Sequence, residues 1–323
     1  MLIATLSLLL PLQLQDPADL GPHRSEQAIP GQPYERYGTR DDLGRRIEFY
    51  LTQGSARLPL AVYIQGSGCA SHFGARGARV VGRTGHDTVA DAFAGRAHVL
   101  LVEKPGVAYL DDGTEASAPF RAEHTLDRWC TAIAAALRAA RQLPQVADDR
   151  TLVIGHSEGG LVACKLAADR REVTHVASLA GGGVTQLFDL ILLARAGHVY
   201  RGAADDPAGR ERRLIRDWRR VLADPDNTDR LFLGHSHRRW TSFLATSPVQ
   251  QLQATDARIF IAQGGADHAV APMSFEVLRA QLLAWGKDVR ARLVDGADHS
   301  FARDGANGWR EIMTDVRDWY LDA

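Results

Sequence analysis

One serine carries the strongest chemical signal in the chain. Gly155-His156-Ser157-Glu158-Gly159 matches the pattern G-x-S-x-G, and Gly160 follows it. An apolar run at 151–155 precedes the motif and a stretch of helical composition at 158–168 follows it. A serine on such a strand-to-helix turn projects its hydroxyl into the cleft above the sheet. The first amides of the new helix then face the place where negative charge develops in acyl transfer. Glycines flank it because a Cβ at either position would clash with the neighbouring strand and helix. Ser157 is therefore read as a nucleophile. A serine hydroxyl attacks a carbonyl only when a base takes its proton, and a carboxylate must orient that base.

The elements that must deliver those groups follow from periodicity. Short β-like runs at 34–40, 45–52 and 58–65 open the domain, and the turn Gln53-Gly54-Ser55 between the last two predicts an antiparallel start to a sheet. Further strands are expected at 98–103, 151–155, 173–179, 258–263 and 288–294, with helices at 123–142, 158–168, 272–285 and 306–321. In the first helix Leu126, Trp129, Ile133, Leu137 and Ala140 recur at three- and four-residue spacing. Continuous apolar strands alternating with helices predict an α/β class, a mostly parallel sheet covered on both faces. Residues 185–255 break the alternation with helical segments at 187–196 and 209–222, which predicts a helical cap inserted between two strands. The expected division is a leader or signal segment and extended arm at 1–33, a core at 34–184 and 256–323, and the cap at 185–255. Arg210, Arg212, Arg213, Arg216, Arg219 and Arg220 are read as the solvated face of a cap helix rather than an anion clamp. Its apolar side is assigned to Leu214, Ile215, Trp218 and Leu222.

With the elbow motif, the strand pattern and the inserted helices together, the chain resembles the α/β-hydrolase superfamily from about residue 34 to its end, the insertion apart. In that superfamily the nucleophile, the acid and the histidine follow in that order. The resemblance implies that Asp267, in Gln263-Gly264-Gly265-Ala266-Asp267, is the acid, and that His299, in Asp295-Gly296-Ala297-Asp298-His299, is the base. It also places the oxyanion hole at Gln65-Gly66-Ser67-Gly68-Cys69, with donor amides from Ser67 and Glu158. Gln65 stands where many hydrolases carry histidine, which makes Gly68 a second candidate donor. Gln65 and Trp240 are the candidate substrate-binding side chains.

Rival assignments exist for several groups. His268 is read as a loop or pocket histidine and His156 as structural, while Asp295 and Asp298 compete with Asp267 for the base. Glu103 and Lys104 either line the pocket or form a buried ion pair. Glu158 either meets a substrate amino group or bonds locally. His235 and His237 have no partner at metal-ligand spacing, so no metal site is expected.

Composition narrows the rest. Of 323 residues, 45% are hydrophobic and 24% charged, which excludes wholesale disorder. A net charge of −1 offers no field to attract nucleic acid or an anionic membrane. Lys104, Lys165 and Lys287 are the only lysines, every other basic side chain being arginine. Cys69, Cys130 and Cys164 are too scattered for a zinc site or redox pair, and fit either three thiols or one disulfide and a thiol. The apolar run at 2–14 has the length of a signal-peptide core and is too short to span a bilayer, but lacks a preceding basic residue and a small-x-small site. Export to the periplasm or outside is the first reading, a cytoplasmic protein the second.

These features lead to the expectation of a serine hydrolase that cleaves a carboxylic ester by way of an acyl-enzyme, needing no metal or organic cofactor. A peptidase or amidase on small peptides, a thioesterase, and a catalytically silent ligand-binding protein are the alternatives. The partner is a small ester, amide or thioester rather than nucleic acid. Nothing in the pattern favours a particular oligomeric state.

Overall fold

The computed structural model describes residues 23–200 and 206–322. The apolar run at 2–14, on which the export expectation rests, lies outside the described residues. The chain opens with β1 (His23–Ala28), β2 (Tyr34–Arg40), β3 (Arg46–Thr52) and β4 (Leu58–Ile64), then a separate hairpin, β5 (Phe73–Arg76) and β6 (Arg79–Gly82). Next come α1 (His86–Phe93), β7 (His98–Val102), α2 (Ala118–Glu123), α3 (Leu126–Ala140), β8 (Val146–His156), α4 (Glu158–Asp169) and β9 (His175–Leu179). Helices α5 (Gln186–Ala196) and α6 (Pro207–Leu222), a small hairpin of β10 (Leu231–Phe232) and β11 (His235–Ser236), and helices α7 (His237–Leu244) and α8 (Pro248–Ala254) are inserted there. The fold closes with β12 (Arg258–Gly264), α9 (Pro272–Ala284), β13 (Val289–Val294) and α10 (Gly308–Leu321).

Among the described residues the main sheet has nine strands in the order β1-β2-β3-β7-β4-β8-β9-β12-β13. Pairings up to β3–β7 are antiparallel and all later ones parallel. Period-two alternation explains the two cores. Leu60, Val62 and Ile64 of β4 face one cluster, in which α3, α4, α8 and α9 pack. Ala61 and Tyr63 face the other, which α1 and α10 cover. Strands buried on both faces must be apolar throughout, as β7, β8 and β9 largely are. No described helix is long and apolar enough to cross a membrane. The three cysteines are free.

Several expectations need correction. The described part of the supposed arm, β1, is an antiparallel edge strand on β2, and Ile29 after it is buried. Pro30 follows directly, at a position where a proline costs no ladder bond. The helix expected at 123–142 is α3, which starts later because the Thr125 hydroxyl accepts from Arg128 N and caps it from outside, while the separate α2 before it was not expected. Helix α8, assigned to the cap, packs in the main core through Leu252, and Val249 N donates to Gly183 O at 2.8 Å. On α6 the buried residues are Leu214 and Val221, whereas Leu222 is 54% exposed. Helix α1 and the β5–β6 hairpin were not expected, being short and flanked by polar turns.

The start of α4 lies hard against the end of β4. A Cβ on Gly159 would collide with the Ile64 carbonyl and stand 2.6 Å from that of Gln65. Gly159→Ala should therefore cost about 1–3 kcal/mol of stability by overpacking. The midpoint of urea unfolding measures this, and an unchanged midpoint would show that β4 and α4 have slack.

Candidate active site

Ser157 sits between β8 and α4 with φ 56° and ψ −124°, a strained conformation for a residue with a side chain. Close packing enforces it. A Cβ on Gly155 would collide with the Gly159 carbonyl, and one on Gly160 would stand 2.7 Å from Gly181 Cα. Ser157 N donates to Leu179 O at 2.8 Å, tying the turn to β9.

His299 follows β13 and Asp267 follows β12, so the parallel β12–β13 pairing brings their loops together. His299 Nδ1 donates to Asp267 Oδ2 at 2.7 Å. The buried carboxylate also accepts from Gln263 Nε2 at 2.7 Å, Ala269 N at 2.7 Å and Val270 N at 3.0 Å. Burial pushes the Asp267 pKa up, but the His299 bond and charge and the two amides outweigh it and hold the carboxyl below its ordinary value. Asp298 and His156 have other partners. Asp298 Oδ1 accepts from Ser300 N and Ala302 N, shaping the turn that presents His299. His156 Nε2 donates to the His299 carbonyl at 3.0 Å, and burial, then His299, pull its pKa down to about 4. It is a neutral strut.

Ser157 and His299 line one cavity of about 660 Å³, together with Ser67, His156 and Trp309. Among the described residues no hydrogen bond joins the Ser157 hydroxyl to His299. A second cavity of about 430 Å³ also reaches Ser67 and Ser157, and continues to Leu190, Leu193, Tyr200, Trp240 and His268. Trp240 thus lines a cavity at the serine, while its Nε1 donates to Phe232 O. His268 is a pocket histidine stacked on His198 at 4.3 Å. His235 packs its ring on Trp240, and His237 Nδ1 donates to Asp224 O. No metal-binding cluster occurs among the described residues.

Gly66 approaches the serine closely, since a Cβ there would stand 3.1 Å from Ser157 Cβ. Ser67 borders both cavities; Gly68, with φ +100°, borders neither. Gln65 does not reach the substrate space as expected. It is 2% exposed and its Nε2 donates to Ala70 O at 3.2 Å, because it sits beneath the loop it braces. Glu158 does not bond to its neighbours in sequence but to residues far along the chain. Its carboxylate accepts from His124 Nε2 at 3.0 Å and pairs with Arg239 of α7, all three side chains being buried. Arg239 also lies over Trp240 at 4.0 Å and Phe243 at 4.6 Å. Burial, then Lys104 and Arg239, hold His124 well below its ordinary pKa, so it donates to Glu158 as the neutral ring.

A sequence profile described as the alpha/beta hydrolase family matches residues 61–307, well over half of the chain. The chain belongs to that family. A search of curated proteins finds no match. Among solved structures this hydrolase is similar to Est1E from Butyrivibrio proteoclasticus, with 18% identity, a TM-score of 0.56, and coverage of 88% of this chain and 98% of that one. It is also similar to an acylaminoacyl peptidase from Pyrococcus horikoshii (13% identity, TM-score 0.58), covering 90% of this chain but only 42% of the peptidase. Dipeptidyl peptidase 4 from Porphyromonas gingivalis gives 13% identity and a TM-score of 0.55, with 90% of this chain and 36% of that one covered. At such identities the likeness is one of fold.

Sequence reasoning missed how this hydrolase braces its elbow. Glu103 and Lys104 do not pair with each other. Glu103 accepts from Tyr50 Oη at 2.8 Å and Ser71 Oγ at 2.5 Å, and burial pushes it up to about 8. Lys104 turns to the other side, beneath the Gly66–Gly68 loop. Nothing local marks Arg239 as the partner of Glu158; the one signal is an arginine placed beside the apolar Trp240 and Phe243. Removing one member of a buried ion pair strands the other, at a cost of about 3–5 kcal/mol. Arg239→Met should therefore destabilise the protein by that amount in urea unfolding, and adding Glu158→Gln should recover part of it. Additive losses from the two changes would mean that the pair is not coupled.

Proposed function

We propose that this hydrolase cleaves a carboxylic ester through an acyl-enzyme on Ser157, with His299 as base and Asp267 as the acid that orients it. The observation that carries the reading is the His299–Asp267 bond of 2.7 Å behind a cavity that Ser157 and His299 share. A carboxylate satisfied by four donors stays ionised and fixed, which selects the His299 tautomer with its free Nε2 toward the cavity. The Ser157–His299 hydrogen bond then forms as substrate binds, since such bonds tighten on the way to the transition state.

In the cycle His299 takes the Ser157 proton as the hydroxyl oxygen attacks the ester carbonyl. The Ser67 and Glu158 amides receive the oxyanion, and the positive end of α4 adds to its stabilisation. Collapse of the intermediate expels the alcohol, which leaves with the proton from His299. Water activated by the same imidazole then attacks the acyl-enzyme and releases the acid. The cycle calls for no metal or organic cofactor. Two cavities that meet at Ser67 and Ser157 suit an ester with a sizeable group on each side of the scissile bond. In this reading the helices inserted between β9 and β12 cap the second of them. An ester is favoured over a peptide held by its amino group because Glu158, the carboxylate that follows the serine in sequence, is already engaged by Arg239 and His124.

Covalent labelling by a fluorophosphonate probe tests the mechanism, and a panel of esters, thioesters and small peptide amides tests the substrate class. Labelling and ester turnover should be lost in Ser157→Ala and in His299→Ala, while Asp267→Asn should lower kcat by about 10⁴. A folded wild-type protein that neither labels nor turns over any panel member would favour a ligand-binding role. Faster turnover of the amide or thioester would reassign the substrate.

A further inference from the structure

Lys104 has the most demanding environment of any side chain not given a role above. It is 2% exposed, and its Nζ donates to Gly66 O at 2.5 Å and Gly68 O at 2.6 Å while lying 4.8 Å from the Trp129 ring centroid. None of these partners is an anion. Glu103 is turned to Tyr50 and Ser71, and Glu158 is taken by His124 and Arg239. Burying an amine without a counter-ion is costly, and a methionine would fill the same space without that cost. Burial, followed by the Arg239 charge, pulls Lys104 down to about 7, against the two carbonyl oxygens and the aromatic face that favour the ammonium. What the amine does at this place is hold two carbonyls.

Those carbonyls stand on either side of Ser67. The described peptides are trans, and in a trans peptide the C=O and the N–H point in opposite directions. With the Gly66 carbonyl drawn onto a buried amine, the Ser67 N–H is turned away from that amine. Ser67 lines both cavities on Ser157, and its N–H has no acceptor among the described residues. Glycines at 66 and 68 bring the backbone close to the serine, but they remove the steric preference that would keep either peptide from flipping. Lys104 supplies the lock that the glycines cannot.

We infer that Lys104 is a positioning residue for the proposed hydrolysis, pinning the carbonyls of Gly66 and Gly68 so that the Ser67 amide points at the forming oxyanion. The inference rests on the ester-hydrolase reading and adds the residue on which its oxyanion hole depends. It also separates Lys104 from pocket lining, since its hydrogen bonds are to backbone beneath the loop and it lines neither cavity on Ser157.

The test uses Lys104→Met and Lys104→Gln in the full chain, with an ester that the wild type turns over and an alkylboronic acid as inhibitor. Boron bonded to Ser157 becomes tetrahedral and carries a hydroxyl where the oxyanion forms. In Lys104→Met, kcat per fluorophosphonate-titrated site should fall by about 10² to 10³, the loss expected for one oxyanion donor, while KM stays within about threefold. Boronate inhibition should weaken in step with kcat. Lys104→Gln, which keeps a neutral N–H donor, should fall between, and it decides by the same criteria if the methionine variant does not fold. The inference is overturned if kcat per titrated site is unchanged, if only KM rises, or if a lowered folded fraction accounts for the whole loss. A wild type inactive toward every ester and unlabelled by the probe sinks the hydrolase reading and this one together. An active wild type with unaffected Lys104 variants sinks this one alone.

Discussion

Everything at this site depends on how closely α4 starts against the sheet. The chain leaves β8 through a residue at φ 56°, and glycines at 155, 159 and 160 let backbone meet backbone with no side chain between. Such a turn persists only because the surroundings over-determine it. Here they are the Ile64 and Gln65 carbonyls on one side, Gly181 on another, and the Leu179 carbonyl that receives Ser157 N. The same closeness fixes function. It sets the 65–69 loop beside the serine and puts the first amide of α4 next to it, so strain in the turn and placement of the proposed oxyanion donors are one constraint.

Close backbone packing leaves little room for water, and the charges that operate there need protein partners. Three are solved in different ways. Asp267 remains an anion because four donors converge on it. Glu158 is met by Arg239 from α7 and by His124, which, kept neutral, donates the second bond. Lys104 has no anion and is satisfied by carbonyls and an aromatic face. Each group is tied to a segment that carries a proposed catalytic part: Asp267 to His299, Glu158 to the turn after Ser157, Lys104 to the loop of Ser67. Buried polar groups of this kind add little net stability but a great deal of geometry, since a half-satisfied arrangement is worse than none.

The strained turn at Ser157 was legible because a single local pattern, glycines around a serine between an apolar strand and a helix, has one physical explanation. The central strands were legible for a similar reason: 98–102 and 151–155 are apolar on both faces, and only a doubly covered sheet buries such strands. What escaped was whatever the packed loops and helices decide, some of it between residues distant in sequence. Gln65 occupies a position that suggests substrate contact, yet its amide is consumed by Ala70 O within the same loop. Glu158 and Arg239 are far apart in sequence, and no periodicity relates them. Edge strand β1 hid behind prolines, because an edge needs no donor on its open side. Val221 rather than Leu222 is buried on α6, since the helix phase is set by packing on its neighbours and not by which residue is larger.

The inserted helices are the part whose behaviour the anchoring decides. A swinging lid needs a weakly held contact with the core, but α7 reaches the elbow through Arg239, 3% exposed, against Glu158, 4% exposed. Lifting α7 would strip a buried carboxylate of its cation, at a cost of several kcal/mol. Helix α5 is tied as well: Asp189 accepts from Ala271 N at 3.2 Å and from Ser274 Oγ at 3.4 Å, both at the start of α9 behind the Asp267 loop. The insertion is thus fastened, through α5 and α7, to the segments beside Asp267 and Ser157. A wall anchored in this way fixes the shape of the second cavity instead of gating it. In the proposed reading this wall, lined by Leu190, Leu193, Tyr200 and Trp240, shapes the space for substrate, and Trp240 joins it to the elbow through Arg239.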